Sequence, residues 1–125
     1  TSRPVFFSTS SAWGVMEGCI RNLVQKKVLN LCCGAFSDKW YGVAQSCGKE
    51  AEKIQVEWGQ PIDPEAVRAK LSEGGFDTVT LVHNETSTGV LNPLKGIADI
   101  VKSFNDVLLV VDTVSSLSAM PINFG

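Results

Sequence analysis

Asp112 follows five consecutive aliphatic residues, Val107 to Val111, and precedes Thr113-Val114-Ser115-Ser116. An apolar run this short and this rich in branched side chains reads as a strand buried on both faces, in the middle of a parallel sheet. Asp112 then sits at the C-terminal end of that strand, the edge where open α/β sheets bind ligands. A carboxylate there must face a cation, a polarised N–H donor or water, because an unpaired buried charge is too costly. A turn or helix-capping Asp is the common structural use; the position after buried aliphatics favours a ligand partner.

Three other stretches carry groups that could do chemistry. Ser8-Thr9-Ser10-Ser11-Ala12-Trp13-Gly14 runs from an apolar segment into a helical pattern. Free N–H groups at a helix start, with serine hydroxyls, suit a phosphate; an N-cap with extra serines is the structural alternative. Phe36 follows Gly34-Ala35 at the same expected edge, where it either stacks on a planar ligand or covers the end of the core. His83-Asn84-Glu85-Thr86-Ser87-Thr88-Gly89 is dense in polar groups, as a binding loop or as a solvated turn. The stretch at Ser8–Gly14 matches neither G-x-G-x-x-G nor the P-loop pattern. His83 is the single histidine, so a Ser-His-Asp triad would have to use it, and nothing else supports one. No second His and no C-x-x-C pair suggests a metal site, so none is expected.

The elements that must position these residues alternate. Val5-Phe6-Phe7 reads as a short strand, and Val15 to Val24 as a helix with Val15, Met16, Cys19, Ile20, Leu23 and Val24 at helical spacing. Val28 to Cys33 is a strand; a helix follows from the Gly34–Asp38 turn to about Cys47, stopped by Gly48. Lys53 to Val56 suggests a strand. Asp63-Pro64 opens a helix to about Glu73, with Asp63 as cap and Pro64 in the first turn. Thr78 to Val82 is a strand, His83 to Asn92 a polar loop, and Pro93 to Phe104 a helix. The order β-α-β-α-β-α-β-α-β predicts an α/β fold, a mostly parallel sheet between two helical layers. In such a sheet Ser8–Gly14, Gly34–Asp38, His83–Asn92 and Asp112 converge on one edge.

Bulk properties exclude several classes. The 125 residues carry a net charge of −2 without charge blocks, which offers no footprint for nucleic acid. Hydrophobic residues make up 44% and charged residues 19%, an ordinary globular balance. No apolar run approaches the roughly 18 residues that span a bilayer, so no membrane partner is expected. Cys19, Cys32, Cys33 and Cys47 are expected as free, buried thiols in a reducing, cytoplasmic setting, with adjacent Cys32 and Cys33 on opposite sheet faces.

Four stretches together resemble the class V family of pyridoxal-phosphate aminotransferases, of fold type I. They are Ser10-Ser11-Ala12-Trp13-Gly14-Val15-Met16-Glu17, Gly34-Ala35-Phe36-Ser37-Asp38-Lys39-Trp40, His83 through Pro93, and Val111-Asp112-Thr113-Val114-Ser115-Ser116. The third is the most specific. The resemblance implies a three-layer α/β large domain and pyridoxal 5'-phosphate (PLP) as cofactor. It implies that Ser11, Ala12 and Trp13 hold the cofactor phosphate, that Phe36 stacks on the pyridine ring and that Val114 packs on its other face. Thr86 would hydrogen-bond the ring hydroxyl side, and Asp112, the catalytic residue of the set, would pair with the ring nitrogen so that the ring accepts electrons. Two positions depart from the family: Trp13 stands where a small hydroxyl or His is usual, and Ala12 where Gly is common.

The resemblance further implies transfer of an amino group between a small amino acid (alanine, serine or phosphoserine type) and a 2-oxo acid, in a homodimer. Residues 1–125 would be part of the large domain of a longer protein. The lysines at hand lie outside the family's lysine motif, and the small domain with its substrate-carboxylate arginine is not represented. The 125 residues alone are therefore expected to be inactive. A lyase or desulfurase of the same superfamily, and a non-catalytic α/β ligand-binding domain, are the alternatives.

Overall fold

Residues 3–124 are described in a computed structural model. Ten elements follow in chain order: α1 (Ala12–Leu23), β1 (Lys27–Cys32), α2 (Ala35–Ser46), β2 (Glu50–Gln55), α3 (Pro64–Ser72), β3 (Thr78–Val82), β4 (Asn84–Glu85), β5 (Val90–Leu91), α4 (Leu94–Lys102) and β6 (Leu108–Asp112). The main sheet is parallel, in the order β2-β1-β3-β6. Its register sets Val82 beside Asp112 and Leu31 beside Leu81.

Alternation along the strands splits the core in two. Leu29, Leu31, Val79 and Leu81 face α3 and α4, where Val67, Leu71, Ile97 and Ile100 cover them. Val28 and Val82 face α1 and α2, under Met16, Ile20, Trp40 and Ala44. Helices thus lie on both faces, as the alternating pattern predicts. Cys33 belongs to the first cluster, while the Cys32 thiol reaches the Ser37 carbonyl on the α2 side. The adjacent cysteines do point apart. All four are free; Cys32 and Cys33 are buried, Cys19 and Cys47 half-buried.

Side chains fix the helix ends locally. Asp63 accepts from Glu65 N–H at 3.0 Å ahead of Pro64, the arrangement its position predicts. Such a cap stabilises by about 1 kcal/mol. Gly48, after α2, has φ +71°, the left-handed conformation that ends a helix most cheaply in glycine. Buried Asn92 accepts from Ile62 N–H at 2.9 Å and donates to the Val82 carbonyl at 2.8 Å, so it locks the chain beyond β5 onto the end of β3. Among the described residues no helix is long and apolar enough to cross a membrane.

Four expectations need correction. Val5-Phe6-Phe7 forms no strand; Phe6 and Phe7 are 91% and 97% exposed, because three apolar residues with no partner strand gain no ladder hydrogen bonds. The element order therefore begins with α1. The polar loop from His83 to Asn92 contains a small hairpin, β4 paired antiparallel with β5. β6 is an edge strand among the described residues, with Leu108 51% exposed; the strands buried on both sides are β1 and β3.

Candidate functional site

In a parallel sheet the C-terminal strand ends share an edge, and helices running antiparallel to the strands start there. Here α1, α2, the β4–β5 hairpin and Asp112 meet at that edge. A pocket of about 80 Å³ is lined by Ala12, Trp13, Phe36, Thr86, Asp112 and Val114, with Met16, Val82, Asn84 and Ser115 completing it. Six of the seven residues singled out in the sequence thus share one small cavity. Ser11 stands just outside. It is the N-cap residue of α1 by position, and Gly14 N–H donates to its carbonyl at 3.0 Å, yet its hydroxyl makes no capping hydrogen bond. The capping alternative for that hydroxyl is therefore not realised. The first N–H groups of α1, including those of Ala12 and Trp13, have no helical acceptor and open toward this edge.

The pocket's walls have distinct chemistry. Phe36, in the first turn of α2, is 41% exposed, so it does not simply cover the core. Its ring stacks on Trp13 with centroids 6.4 Å apart and planes 18° from parallel. Lys39 Nζ lies 4.2 Å from the Trp13 ring centroid. Trp13 thus contacts both an aromatic ring and a cation, a role its sequence context did not suggest. Val114, 74% exposed, presents an apolar side chain.

The polar groups are tied together. Asp112 Oδ1 accepts from Val114 N–H at 2.8 Å, while His83 N–H donates to the Asp112 carbonyl at 2.9 Å. The turn use of Asp112 and a ligand-facing use are therefore compatible: one carboxylate oxygen is engaged in the turn, and the residue still lines the pocket. Thr86 Oγ1 and Ser115 Oγ share a hydrogen bond of 2.8 Å, and Ser115 Oγ donates to the Asn84 carbonyl at 3.1 Å. A hydroxyl has one proton. Either hydroxyl can donate across the Thr86–Ser115 bond, so Thr86 can offer the pocket a donor or an acceptor.

Glu85 was not singled out in the sequence, yet it is fully buried at the base of this site. Phe36 N–H donates to its Oε1 at 3.2 Å, and Ser37 N–H to its Oε2 at 2.9 Å. The Ser87 hydroxyl donates to Oε1 at 2.7 Å and that of Ser37 to Oε2 at 2.8 Å. Burial pushes this carboxyl up, but these hydrogen bonds outweigh burial and leave it below its ordinary value. Glu85 is therefore ionised at neutral pH. Its backbone partners, Phe36 and Ser37, lie 49 and 48 residues upstream, so no local pattern announces them.

The lone histidine has a structural place. His83 is buried, and its Nδ1 is hydrogen-bonded to Ser116 Oγ at 3.0 Å. Ser116 is buried as well, and Asp112 meets His83 only through main-chain atoms. That geometry makes no nucleophilic triad. Burial pushes the His83 imidazole down, toward the neutral form. The buried Cys32 thiol is pushed up to about 12, chiefly by desolvation, and is inert as a nucleophile at neutral pH. Among the described residues no group of three or more His, Cys, Asp or Glu side chains could hold a metal ion.

An open sheet edge with a helix start, aromatic and apolar walls, a hydroxyl and a carboxylate suits a planar, anionic ligand with a basic nitrogen. The chain matches the Aminotransferase class-V family over residues 27–125, and it belongs to that family. It is 40% identical to an uncharacterized aminotransferase of Methanocaldococcus jannaschii, over 98% of this chain and 32% of that protein. It is 35% identical to the small subunit of a soluble hydrogenase of Synechococcus sp., over 98% of this chain and 33% of that protein. The crystal structure of an alanine–glyoxylate aminotransferase from Nostoc sp. superposes with a TM-score of 0.83 at 34% identity, over 91% of this chain and 30% of the other. The fold is thus that of part of a fold type I enzyme. The chain spans about a third of the length of the curated relatives it matches. PLP is the cofactor of this family.

The residues present fit that cofactor on their own chemistry. The α1 start offers N–H donors for a phosphate, Phe36 and Val114 offer apolar surface for the two faces of a ring, and Asp112 supplies the acceptor a protonated pyridine nitrogen needs.

Proposed function

We infer that the full-length protein is a PLP-dependent aminotransferase that moves an amino group between a small amino acid and a 2-oxo acid. The observation that carries this reading is the shared pocket: Ala12, Trp13, Phe36, Thr86, Asp112 and Val114 come from four separate parts of the chain. The relatives' names include a hydrogenase subunit, but this donor set suits a phosphorylated pyridine. The alanine–glyoxylate specificity of the Nostoc neighbour supports a small donor such as alanine or serine. The homodimer is part of the same reading and rests on the family resemblance.

When bound, PLP supplies an electron sink for the carbanion formed at the amino acid's α-carbon. The chain's own residues prepare it. N–H groups of Ala12 and Trp13, with the Ser11 hydroxyl, hold the phosphate at the positive end of α1. Phe36 and Val114 keep water off the two ring faces. Thr86 Oγ1 would hydrogen-bond the ring hydroxyl side. Asp112 holds the proton on the ring nitrogen, since an anionic acceptor favours the charged form of its partner. Val114 N–H fixes one Asp112 oxygen and so aims the carboxylate. The lysine and arginine that complete the chemistry belong to parts of the protein outside these 125 residues.

Truncation of the stacking ring gives a direct prediction. Phe36→Ala in the full-length protein should weaken PLP binding about tenfold, on the scale of one lost aromatic contact, while the unfolding temperature changes little. Unchanged affinity would remove Phe36 from the ring-stacking role. The activity itself is tested by supplying L-alanine or L-serine with glyoxylate and PLP and measuring glycine. Release of ammonia from L-serine without amino transfer would favour the lyase, and release of sulfide when L-cysteine and a thiol reductant replace these donors would favour the desulfurase. No turnover despite bound PLP would favour the non-catalytic domain.

A further inference from the structure

The first turn of α2 carries the stacking ring of Phe36, yet residues far along the chain hold most of it in place. Its N–H groups at Ala35, Phe36 and Ser37 have no helical acceptors. Ser87 Oγ accepts from Ala35 N–H at 2.9 Å, and Glu85 accepts from the other two. Glu85 follows Asn84 in β4 and immediately precedes Thr86, the hydroxyl expected at the ring's edge. One buried carboxylate thus joins the segment bearing the stacking ring to the segment bearing the ring-edge hydroxyl.

The approach leaves no slack. A Cβ on Gly34 would collide with Glu85 Cγ and lie 2.7 Å from both Glu85 Cδ and Ser87 Oγ. Gly34 has an extended backbone, so glycine is required there for the closeness of the Glu85 side chain and not for its torsion angles. Both carboxylate oxygens receive one backbone N–H and one hydroxyl. A carboxylate is the side chain that accepts at both positions; an amide presents a donor at one of them.

We propose that Glu85 is a positioning residue that sets Phe36 relative to Thr86 around the bound cofactor. It touches neither cofactor nor substrate and acts through the α2 start. This inference rests on the PLP reading above. Glu85→Gln keeps the side-chain volume but turns one oxygen into a donor aimed at a backbone N–H that cannot rotate away. Ser87→Ala removes one donor onto Glu85 and the acceptor for Ala35, a milder version of the same change.

The test uses full-length protein titrated with PLP, read by absorbance and by the visible circular dichroism of the bound cofactor. Val67→Ala, in the cluster on the opposite sheet face, is the control for stability loss alone. Glu85→Gln should bind PLP at least tenfold more weakly, in the range for residues that orient a binding group. It should also change the dichroism, with Ser87→Ala shifting both in the same direction and Val67→Ala neither. Wild-type affinity and dichroism in Glu85→Gln would overturn the proposal. So would equal losses in Glu85→Gln and Val67→Ala. If Glu85→Gln does not fold, Ser87→Ala decides by the same two readouts. A wild-type protein that binds no PLP would overturn the functional reading, and this one with it, and is recognised because the unmutated chain fails.

Discussion

Asp112→Asn in the full-length protein should leave the fold intact and lower turnover about a hundredfold to a thousandfold, the scale for losing one preorganised electrostatic group. Asn keeps a side-chain oxygen that can still accept from Val114 N–H, so the turn that follows β6 survives. What disappears is the negative charge that, on the proposed reading, would hold a proton on the ring nitrogen. Affinity for PLP should fall far less than turnover, because the phosphate and both ring faces keep their contacts. Steady-state kinetics with a PLP titration separate the two effects. Near-normal turnover would remove Asp112 from its assigned role and leave it a turn residue.

Trp40→Ala should be the most destabilising single change in the α1–α2 layer. Trp40 is fully buried among Met16, Ile20, Val28 and Ala44, and its indole N–H donates to the Met16 carbonyl at 3.3 Å. Deleting a buried Trp side chain costs about 3–5 kcal/mol, most of it lost burial plus the cavity left behind. That is a large share of a domain's typical net stability of about 5–15 kcal/mol. The Met16 carbonyl also loses a partner. Trp40 borders a second, larger cavity of about 350 Å³ along α1 and β6, which shares Ala12, Met16, Asp112 and Val114 with the candidate-site pocket. Loosening α1 there should carry over to phosphate binding at its N-terminus. Denaturant unfolding of the full-length protein checks this; a midpoint within experimental scatter of the wild type would contradict the packing account.

The sequence carried the scaffold where local pattern and tertiary context agree. The apolar runs at Val28–Cys33 and Thr78–Val82 sit centrally and covered on both faces, and Asp63-Pro64 starts a helix because cap and first-turn preferences act within a few residues. Pattern misled where a strand signal depends on a partner. Val5-Phe6-Phe7 has the composition of a strand but no neighbour to pair with. The Val107–Val111 run has the composition of an internal strand, yet among the described residues β6 pairs on one side only. Aliphatic content reports how much cover a strand needs, not which segment provides it, and the relatives are about three times as long as this chain.

The same division holds at the site. That Ala12, Trp13, Phe36, Thr86, Asp112 and Val114 share one pocket was legible because strand ends in a parallel sheet converge, whereas Ser11 stands just outside it. Glu85 was not legible. It stood in plain view between Asn84 and Thr86, but its function depends on N–H groups of α2 that only folding brings within 3.2 Å. The Trp13–Phe36–Lys39 stack is likewise a product of two helix starts meeting, invisible in either stretch alone.

The central claim is that the edge gathered around Asp112 holds PLP and uses it on amino acids. An absorbance spectrum of the full-length protein, first titrated with PLP and then with L-alanine, tests it most directly. A PLP-binding aminotransferase gives a saturable visible band that shifts when the amino acid is added. A flat visible spectrum in excess PLP, with no band beyond that of the free cofactor, would contradict it.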